Sequence, residues 1–459
     1  MRLPERFTVP EPSLAPLLGK ELRQVMTGRS LWIMLLLLCP FIGYSFIQAV
    51  SLYGEASAAG LQSPLLAAGL SPLDGILVPT FGAEYVAVTL MFPFVAIRTL
   101  GQEKESGTLR LSIQLPYCRA TLVIAKLVAM LAAWLAASIP ALSALVVWRA
   151  LGGHLSAPET ANLILGHLLY GLLVGSIALF AAAVSESSAT AAIIALAFTI
   201  GSWVLDFTVA GHPGLLEWIA RLSLTQVLRP FEEGLLSVGL VVGVGAAIAG
   251  FAALATVWLP PGRPIRRKLV LSTLCILASA AALGAASLVR SSVDVSEDRR
   301  NSFPTGDQAT LTSMAEPLMV TVHLASEDPR YADLQRNVLA KLGRAMPNVA
   351  VRLAQGHQTL IGNSPDQVYG EVEYAYGSRS DISSSTSPSE ILPLLYGLAG
   401  VRPAPSAVTE YPGYPLVAGE DPGIAWFFVV LPSLIALLWL RSRLPPQVNR
   451  IPLINEVRP

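Results

Sequence analysis

The residues that could do chemistry in this chain of 459 residues do not form the arrangements typical of catalysis or metal binding. Gly19-Lys20 is followed by Glu21 rather than by Ser or Thr, and position 14 is not glycine, so no phosphate-cradling loop is indicated. The five histidines are scattered, with no H-E-x-x-H, and the sequence contains no G-x-S-x-G. We therefore expect this chain to hold no catalytic, cofactor-binding or metal-binding residues.

Three ionisable residues lie within apolar stretches: Glu84, His167 and Asp206. Charge is costly in hydrocarbon, so such residues are often functional. Glu84 and Asp206 fall nearer one end of their stretches than the middle, which favours simple solvation at the membrane surface. The alternative is that they line a wetted pathway or gate for a substrate. The same two interpretations apply to His167 on weaker grounds, and a structural role is the simpler explanation for it.

A charged segment between the second and third apolar stretches is the most informative part of the sequence. It runs from Arg98 through Glu103-Lys104-Glu105-Ser106-Gly107-Thr108-Leu109-Arg110 to Leu115-Pro116, Arg119 and Lys126. The pattern predicts a charged helix start, a glycine break, a short apolar helix and a stop at the proline. Such a helix, held at the membrane surface, could transmit force to a docked protein. The alternative is an ordinary solvated loop.

The elements that position these residues follow from composition. The chain is 53% hydrophobic and 14% charged, whereas soluble proteins are roughly 45–50% apolar and about 25% charged. This predicts a polytopic helical membrane protein and argues against a cytoplasmic enzyme. The net charge of zero also argues against a nucleic-acid partner. The three cysteines form no CxxC pair, so no disulfide framework or zinc site is indicated.

The apolar stretches predict eight membrane-spanning helices. They cover about residues 30–53, 75–100, 121–151, 160–184, 189–210, 234–259, 269–289 and 423–440. Before the first, residues 1–29 contain an amphipathic helix with Leu17, Leu22 and Val25 on one face and Lys20 and Glu21 on the other. We expect this helix to lie along the membrane surface, in contact with lipid.

Lysine and arginine in the short loops set the orientation. Residues 54–74 contain neither. Arg98 lies at the end of the second span, Lys104, Arg110 and Arg119 follow it, and four basic residues follow the sixth span. With eight spans, the basic loops share one side with the N-terminus. We therefore predict that both termini are cytoplasmic, in a bacterial inner membrane.

Two segments are predicted on the outer side. Residues 211–233 have apolar side chains at near-helical spacing, which indicates a re-entrant or interfacial hairpin. After a basic loop and the seventh span at 261–290, residues 291–422 form a hydrophilic module. Alternation over 318–324, 349–353 and 368–376, with a helical stripe over 328–342, predicts a strand–helix–strand unit and so a small α/β domain. Residues 423–459 are the last span and a cytoplasmic tail.

The charged segment resembles the ABC-2 family of transporter permeases, over about residues 14–260. The matching residues are Glu103, Glu105, Gly107, Thr108, Leu109, Leu115, Pro116, Arg119 and Lys126. Lys20-Glu21-Leu22 resembles that family's connecting helix. The resemblance implies a six-span core over 30–260, with a coupling helix at about 101–117 that docks on a separate ATPase. It further implies a second permease copy, a bias toward export, and ATP and Mg²⁺ bound in the partner chain.

The outer module looks like the auxiliary subunit of gliding-motility-type ABC systems, fused here to its permease. Such modules are often thioredoxin-like, and we expect this one to contact a substrate, an extracytoplasmic protein partner or the second permease copy. No cysteine occurs between residues 290 and 422, which argues against redox chemistry there. The alternatives left open are a mechanical or assembly complex that moves no small solute, and an intramembrane enzyme. A sensor is a further alternative, but we expect residues 441–459 to be too short for an output domain.

Overall fold

The computed structural model describes residues 14–209, 223–260, 262–325, 328–354, 369–403 and 411–443, with only the backbone described at 206–209. Within these ranges eight helical segments are long and apolar enough to cross a membrane. They are Arg29–Gly60, Leu73–Glu105, Arg119–Ala150, Ala157–Val184, Ser188–Leu205, Val238–Trp258, Ile265–Ser287 and Asp421–Ser442. The predicted fold class, a helical membrane protein with a small α/β region, is confirmed.

The helices of the membrane bundle occur in two groups along the chain. The first group comprises α1 (Leu14–Met26), α2 (Arg29–Gly60), α3 (Pro64–Ala67), α4 (Val78–Glu105, entered through a π turn at Leu73–Leu77), α5 (Thr108–Gln114), α6 (Arg119–Ala137), α7 (Ile139–Ala150), α8 (Ala157–Val184), α9 (Ser188–Val209), α10 (Thr225–Glu232), α11 (Val238–Trp258) and α12 (Ile265–Ser287). The last span comprises α17 (Asp421–Ala425), a π turn (Trp426–Val430) and α18 (Leu431–Ser442). Residues 211–222 of the predicted outer hairpin lie outside the described residues, and its later part contains α10.

Helix α8 packs at the centre of the bundle because its glycines admit large aromatic rings. A Cβ on Gly171 would lie 2.1 Å from the Trp134 ring of α6, and one on Gly166 would lie 2.5 Å from Phe231 of α10. Trp134 and Phe231 are both fully buried. The small residues of α8 therefore serve helix packing within one chain, as small residues commonly do in membrane helices.

The third predicted span is broken into α6 and α7. Ser138 joins the two helices, and Pro140 lies in the first turn of α7. A proline nitrogen cannot donate to the carbonyl one turn earlier, so the backbone ladder is interrupted there. The break places the hydroxyl group of Ser138 in the bundle interior, where it is fully buried.

The outer region contains a four-stranded sheet. Its elements are β2 (Ser292–Asp294), α13 (Thr305–Ser313), β3 (Leu318–Val322), α14 (Pro329–Leu334) with a π turn (Gln335–Leu339), α15 (Ala340–Ala345), β4 (Val349–Leu353), β5 (Val372–Tyr376), β6 (Arg379–Ser383) and α16 (Pro388–Ala399). The strand order is β4-β3-β5-β6, with β3 parallel to β4 and the other pairs antiparallel. The predicted strand–helix–strand unit is present, and β6 is an additional strand.

The sheet region, which we call the outer module, has its own core. Leu318, Val320 and Val322 alternate inward from β3 and pack against buried residues of α14 to α16, separately from the bundle core. Period-two alternation buries one face of the central strand, as expected. The outer module is thus a second packed unit attached to the membrane bundle.

The outer module sits at one end of the bundle. The short strand β1 (Leu235–Ser237), just before α11, pairs antiparallel with β2, just after α12. Arg300 lies 2.5 Å from the Asp74 carboxylate, and the Tyr53 hydroxyl donates to the Tyr414 carbonyl oxygen at 2.8 Å. We call this the module end, and the end that carries α1 and α5 the N-terminal end.

Candidate functional site

Four charged side chains from three helices meet at the N-terminal end, and we call them the ion-pair cluster. They are Lys20 and Glu21 of α1, Glu103 of α4 and Lys126 of α6. The Lys126 ammonium lies 2.9 Å from a carboxylate oxygen of each glutamate, and Lys20 lies 3.3 Å from Glu21 and in direct contact with Glu103. The two positive and two negative charges compensate each other.

Burial makes this compensation necessary. The side chains of Glu21, Glu103 and Lys126 are 2%, 4% and 3% exposed, whereas Lys20 is 45% exposed. Unpaired charges in such a place would be strongly destabilising. Partial burial alone would lower the pKa of Lys20, but its contacts with Glu103 and Glu21 outweigh that effect and raise the pKa above its usual value.

Helix α1 therefore differs from the sequence prediction. The pattern places Lys20 and Glu21 on a polar face turned away from lipid, but Glu21 is buried together with Leu17 and Val25. Leu22 is only partly buried at the edge of the core. The helix packs on α6 and α4 because Lys126 offers Glu21 a partner inside the protein, and Gln24 adds a bond to the Thr99 carbonyl oxygen at 3.3 Å.

The end of α4 is also fixed to the turn between α8 and α9. The Lys104 ammonium donates to the carbonyl oxygens of Ala182, Ala183 and Ser185 at 2.6–2.8 Å, and Ser188 donates to the Glu105 carboxylate at 2.6 Å. The last carbonyls of a helix have no partner within it, so Lys104 satisfies the end of α8. This role of Lys104 is not among the predictions from the sequence, although a lysine at the end of a span is a signal for it.

Helix α5 lies beyond this anchored region and is shorter than the predicted coupling helix at 101–117. Residues 101–105 continue α4, and the chain turns at Gly107, whose φ of 74° favours glycine. Leu109 is buried, whereas Leu111 and Leu115 are 65% and 47% exposed. Thr108 is the first residue of the short helix, and Pro116 and Arg119 follow its end, as the sequence indicated. The exposed leucines make α5 an apolar projection from the end of the bundle.

A groove of about 420 Å³ separates α1 from α5. Its walls include Lys20 and Gln24 on one side and Leu111 and Leu115 on the other, with Glu103 at its base. The resemblance assigns Glu103 to the docking surface, but its carboxylate is occupied by two lysines and almost fully buried. Glu103 therefore holds the site together, and α5 supplies the exposed surface.

The interior residues Glu84 and His167 are not solvated at a membrane surface. Glu84 is fully buried and accepts a hydrogen bond from the Ser138 hydroxyl at the break between α6 and α7. His167 is buried with its ring centroid 5.1 Å from that of Phe81. The surface-solvation interpretation of Glu84 is wrong, because the α6–α7 break provides a polar partner inside the bundle. The side chain of Asp206 lies outside the described residues.

The comparisons with known proteins concern this part of the chain. Residues 15–231 match the model of the family described as ABC-2 family transporter protein. The match includes α1, the ion-pair cluster and α5, and it ends before α11 and the outer module. No curated protein matches the chain significantly. From α1 to α10, this multi-pass membrane protein is therefore similar to the ABC-2 family of transporter proteins.

Proposed function

We propose that this chain is the permease subunit of an ABC-2 type exporter, driven by a separate ATPase that docks on α5. The observation that carries the proposal is the exposed apolar face of α5, with Leu111 and Leu115 projecting from the end of the bundle. Exposed apolar groups at a surface are typical of protein interaction sites. The family match over residues 15–231 supports an ABC ATPase as the partner.

The anchoring contacts would let α5 transmit movement into the bundle. Only Ser106 and Gly107 separate α5 from α4. The ion-pair cluster joins that end of α4 to α1 and α6, and Lys104 joins it to the α8–α9 turn. A displacement of α5 would therefore move five helices together. Packed elements with discrete arrangements can carry such coupling between distant sites.

ATP hydrolysis and transport would take place in different chains. ATP and Mg²⁺ would bind in the partner ATPase, and this chain would supply the pathway rather than catalysis. By the family resemblance, a second permease copy would complete a pathway lined by the first, second and fifth spans, with Glu84 as a gate residue on α4. The basic loops at the N-terminal end favour its placement in the cytoplasm, where ATP is available.

The decisive experiment targets α5 alone. The full chain would be purified from its native membrane in mild detergent, and ATP hydrolysis and co-purified chains would be measured. Leu111→Asp with Leu115→Asp should abolish co-purification of an ABC ATPase, because two charges would enter the apolar contact. Leu65→Asp is the matched control, since Leu65 is 86% exposed at the module end.

Three outcomes decide the proposal. Loss of the ATPase from the α5 variant and its retention by the Leu65→Asp variant, with equal thermal unfolding of both, support docking on α5. Absence of a stoichiometric P-loop ATPase from the unaltered chain contradicts the permease proposal. Retention of the ATPase by the α5 variant places the docking surface elsewhere.

A further inference from the structure

A second groove lies at the module end, between the β1–β2 pair and the first helix of the outer module. Its volume of about 870 Å³ falls within the roughly 300–1,000 Å³ of typical small-molecule sites. Three guanidinium groups line it, together with apolar side chains. These residues are Arg290, Arg299, Arg344, Leu235, Val293 and Phe303.

The groove lies at the level of the membrane surface. Arg290 follows the end of α12 by three residues, and Leu235 precedes the start of α11 by three. Pairing of β1 with β2 holds these two connections side by side. The polar layer of a bilayer is about 5–8 Å thick on each side, so the side chains of these residues lie within reach of lipid headgroups.

The arginines keep unused hydrogen-bond donors. Arg344 donates Nε and Nη2 to the Asn301 carbonyl oxygen, at 3.0 and 2.6 Å, and Arg290 donates Nη1 to the Pro347 carbonyl oxygen at 2.9 Å. These bonds orient the guanidinium groups without neutralising them. The side chain of Arg299 is exposed and has no ion pair with any residue in the described ranges.

The carboxylate in the groove, that of Asp294, is hydrogen-bonded to groups of its own loop. It accepts hydrogen bonds from the backbone N–H and hydroxyl of Ser296, from the Asn301 N–H and from the Ser302 hydroxyl, at 2.5–3.1 Å. This loop holds Arg299 at a φ of 51°, a conformation that is uncommon for residues other than glycine. The loop therefore fixes an arginine beside the groove. The three arginines that line the groove outnumber its one acid among the described residues, so the groove has excess positive charge.

We propose that this groove binds the phosphate of an anionic phospholipid. The planar donor fork of arginine matches phosphate oxygens, and charge-assisted bonds are stronger than neutral ones. Leu235 and the half-exposed Val293 would contact the glycerol and the first acyl carbons. The position at the end of α12 favours a membrane lipid over a soluble anion as the source of the phosphate.

The test uses the full chain in mild detergent, with phosphatidylglycerol, phosphatidylcholine and inorganic phosphate as probes and native mass spectrometry as the readout. Phosphatidylglycerol should bind in preference to phosphatidylcholine. Arg290→Gln with Arg299→Gln should weaken that binding at least about tenfold, because two charge-assisted contacts are lost. Arg402→Gln, an exposed arginine on a different groove, is the matched control and should bind normally.

Three results with the variants and the two lipids would overturn the proposal, and a fourth, with inorganic phosphate, would overturn the lipid assignment. The first three are undiminished phosphatidylglycerol binding by the double variant, equal loss in the Arg402→Gln variant, and equal binding of the two lipids. Preferential binding of inorganic phosphate would assign the groove to a soluble anion and so overturn the lipid assignment. Both altered arginines are exposed, and equal thermal unfolding of the variants would show that the loss is not a folding defect.

Discussion

The two ends of the bundle use charge in opposite ways. At the N-terminal end, two lysines and two glutamates compensate one another, and three of the four are buried. At the module end, three arginines line a groove whose single acid, among the described residues, is occupied by its own loop. Compensated, buried charge joins structural elements, whereas uncompensated, exposed charge is available to a ligand.

The outer module is attached to the bundle by charged contacts that are more exposed than those of the ion-pair cluster. The module has its own hydrophobic core, and polar contacts such as Arg300 with Asp74 and His154 with Glu297 join it to the bundle. The Asp74 side chain is 54% exposed. Contacts of this kind contribute little and weaken with salt. We therefore expect the N-terminal end to be the more rigid of the two.

The largest expected effect concerns which side of the membrane each end faces. Cys118, exposed at the N-terminal end, and a cysteine introduced as Ser380→Cys in β6 should be labelled from opposite sides. Bonds from the Thr121 hydroxyl and N–H lower the pKa of the Cys118 thiol, which favours the reactive thiolate. A membrane-impermeant maleimide on spheroplasts should label only the introduced cysteine, and permeabilisation should add Cys118.

Background labelling is controlled with Cys118→Ser, alone and combined with Ser380→Cys. The other cysteines are Cys39, which is buried, and Cys275, which lies within a span. Labelling of Cys118 in intact spheroplasts, with Ser380→Cys protected, would invert the proposed orientation. Labelling of both positions from one side would contradict the odd number of spans, five, that separates them, and with it the assignment of the two ends to opposite sides of the membrane.

The next effect concerns the ion-pair cluster. Lys126→Met should lower the free energy of unfolding by about 3–5 kcal/mol, because Glu21 and Glu103 would share only the half-exposed Lys20. Adding Glu103→Gln should recover part of this loss by restoring the charge balance. The measurement is denaturant unfolding of the full chain in micelles. Arg110→Met, on the exposed face of α5, is the control and should change stability by less than about 0.5 kcal/mol. Equal losses in the Lys126 and Arg110 variants would show that the cluster does not stabilise this end.

The sequence predicts the spans well and the cluster poorly, for a physical reason. Local apolar composition determines which segments cross a membrane, so all eight spans are found, with their ends within seven residues of the prediction. The cluster depends on pairing between residues 83 and 105 positions apart. Helical periodicity assigns Glu21 to a polar face. Glu21 is buried because it pairs with Lys126, which is distant in the sequence and close only in the folded structure. Burial of Glu84 likewise depends on the α6–α7 break, which an unbroken apolar stretch conceals.

The smallest effect tests the module end with the same measurement. Asp74→Asn removes one partner of Arg300, which keeps Asp298 at 2.8 Å, so the free energy of unfolding should fall by only about 0.2–1 kcal/mol. The loss should shrink further at high salt, because exposed charges are screened. Glu55→Gln, an exposed acid near the same end, is the matched control. A loss as large as that of Lys126→Met, and insensitive to salt, would mean that both ends rely on tightly coupled charge, and the outer module would then be a rigid extension of the bundle.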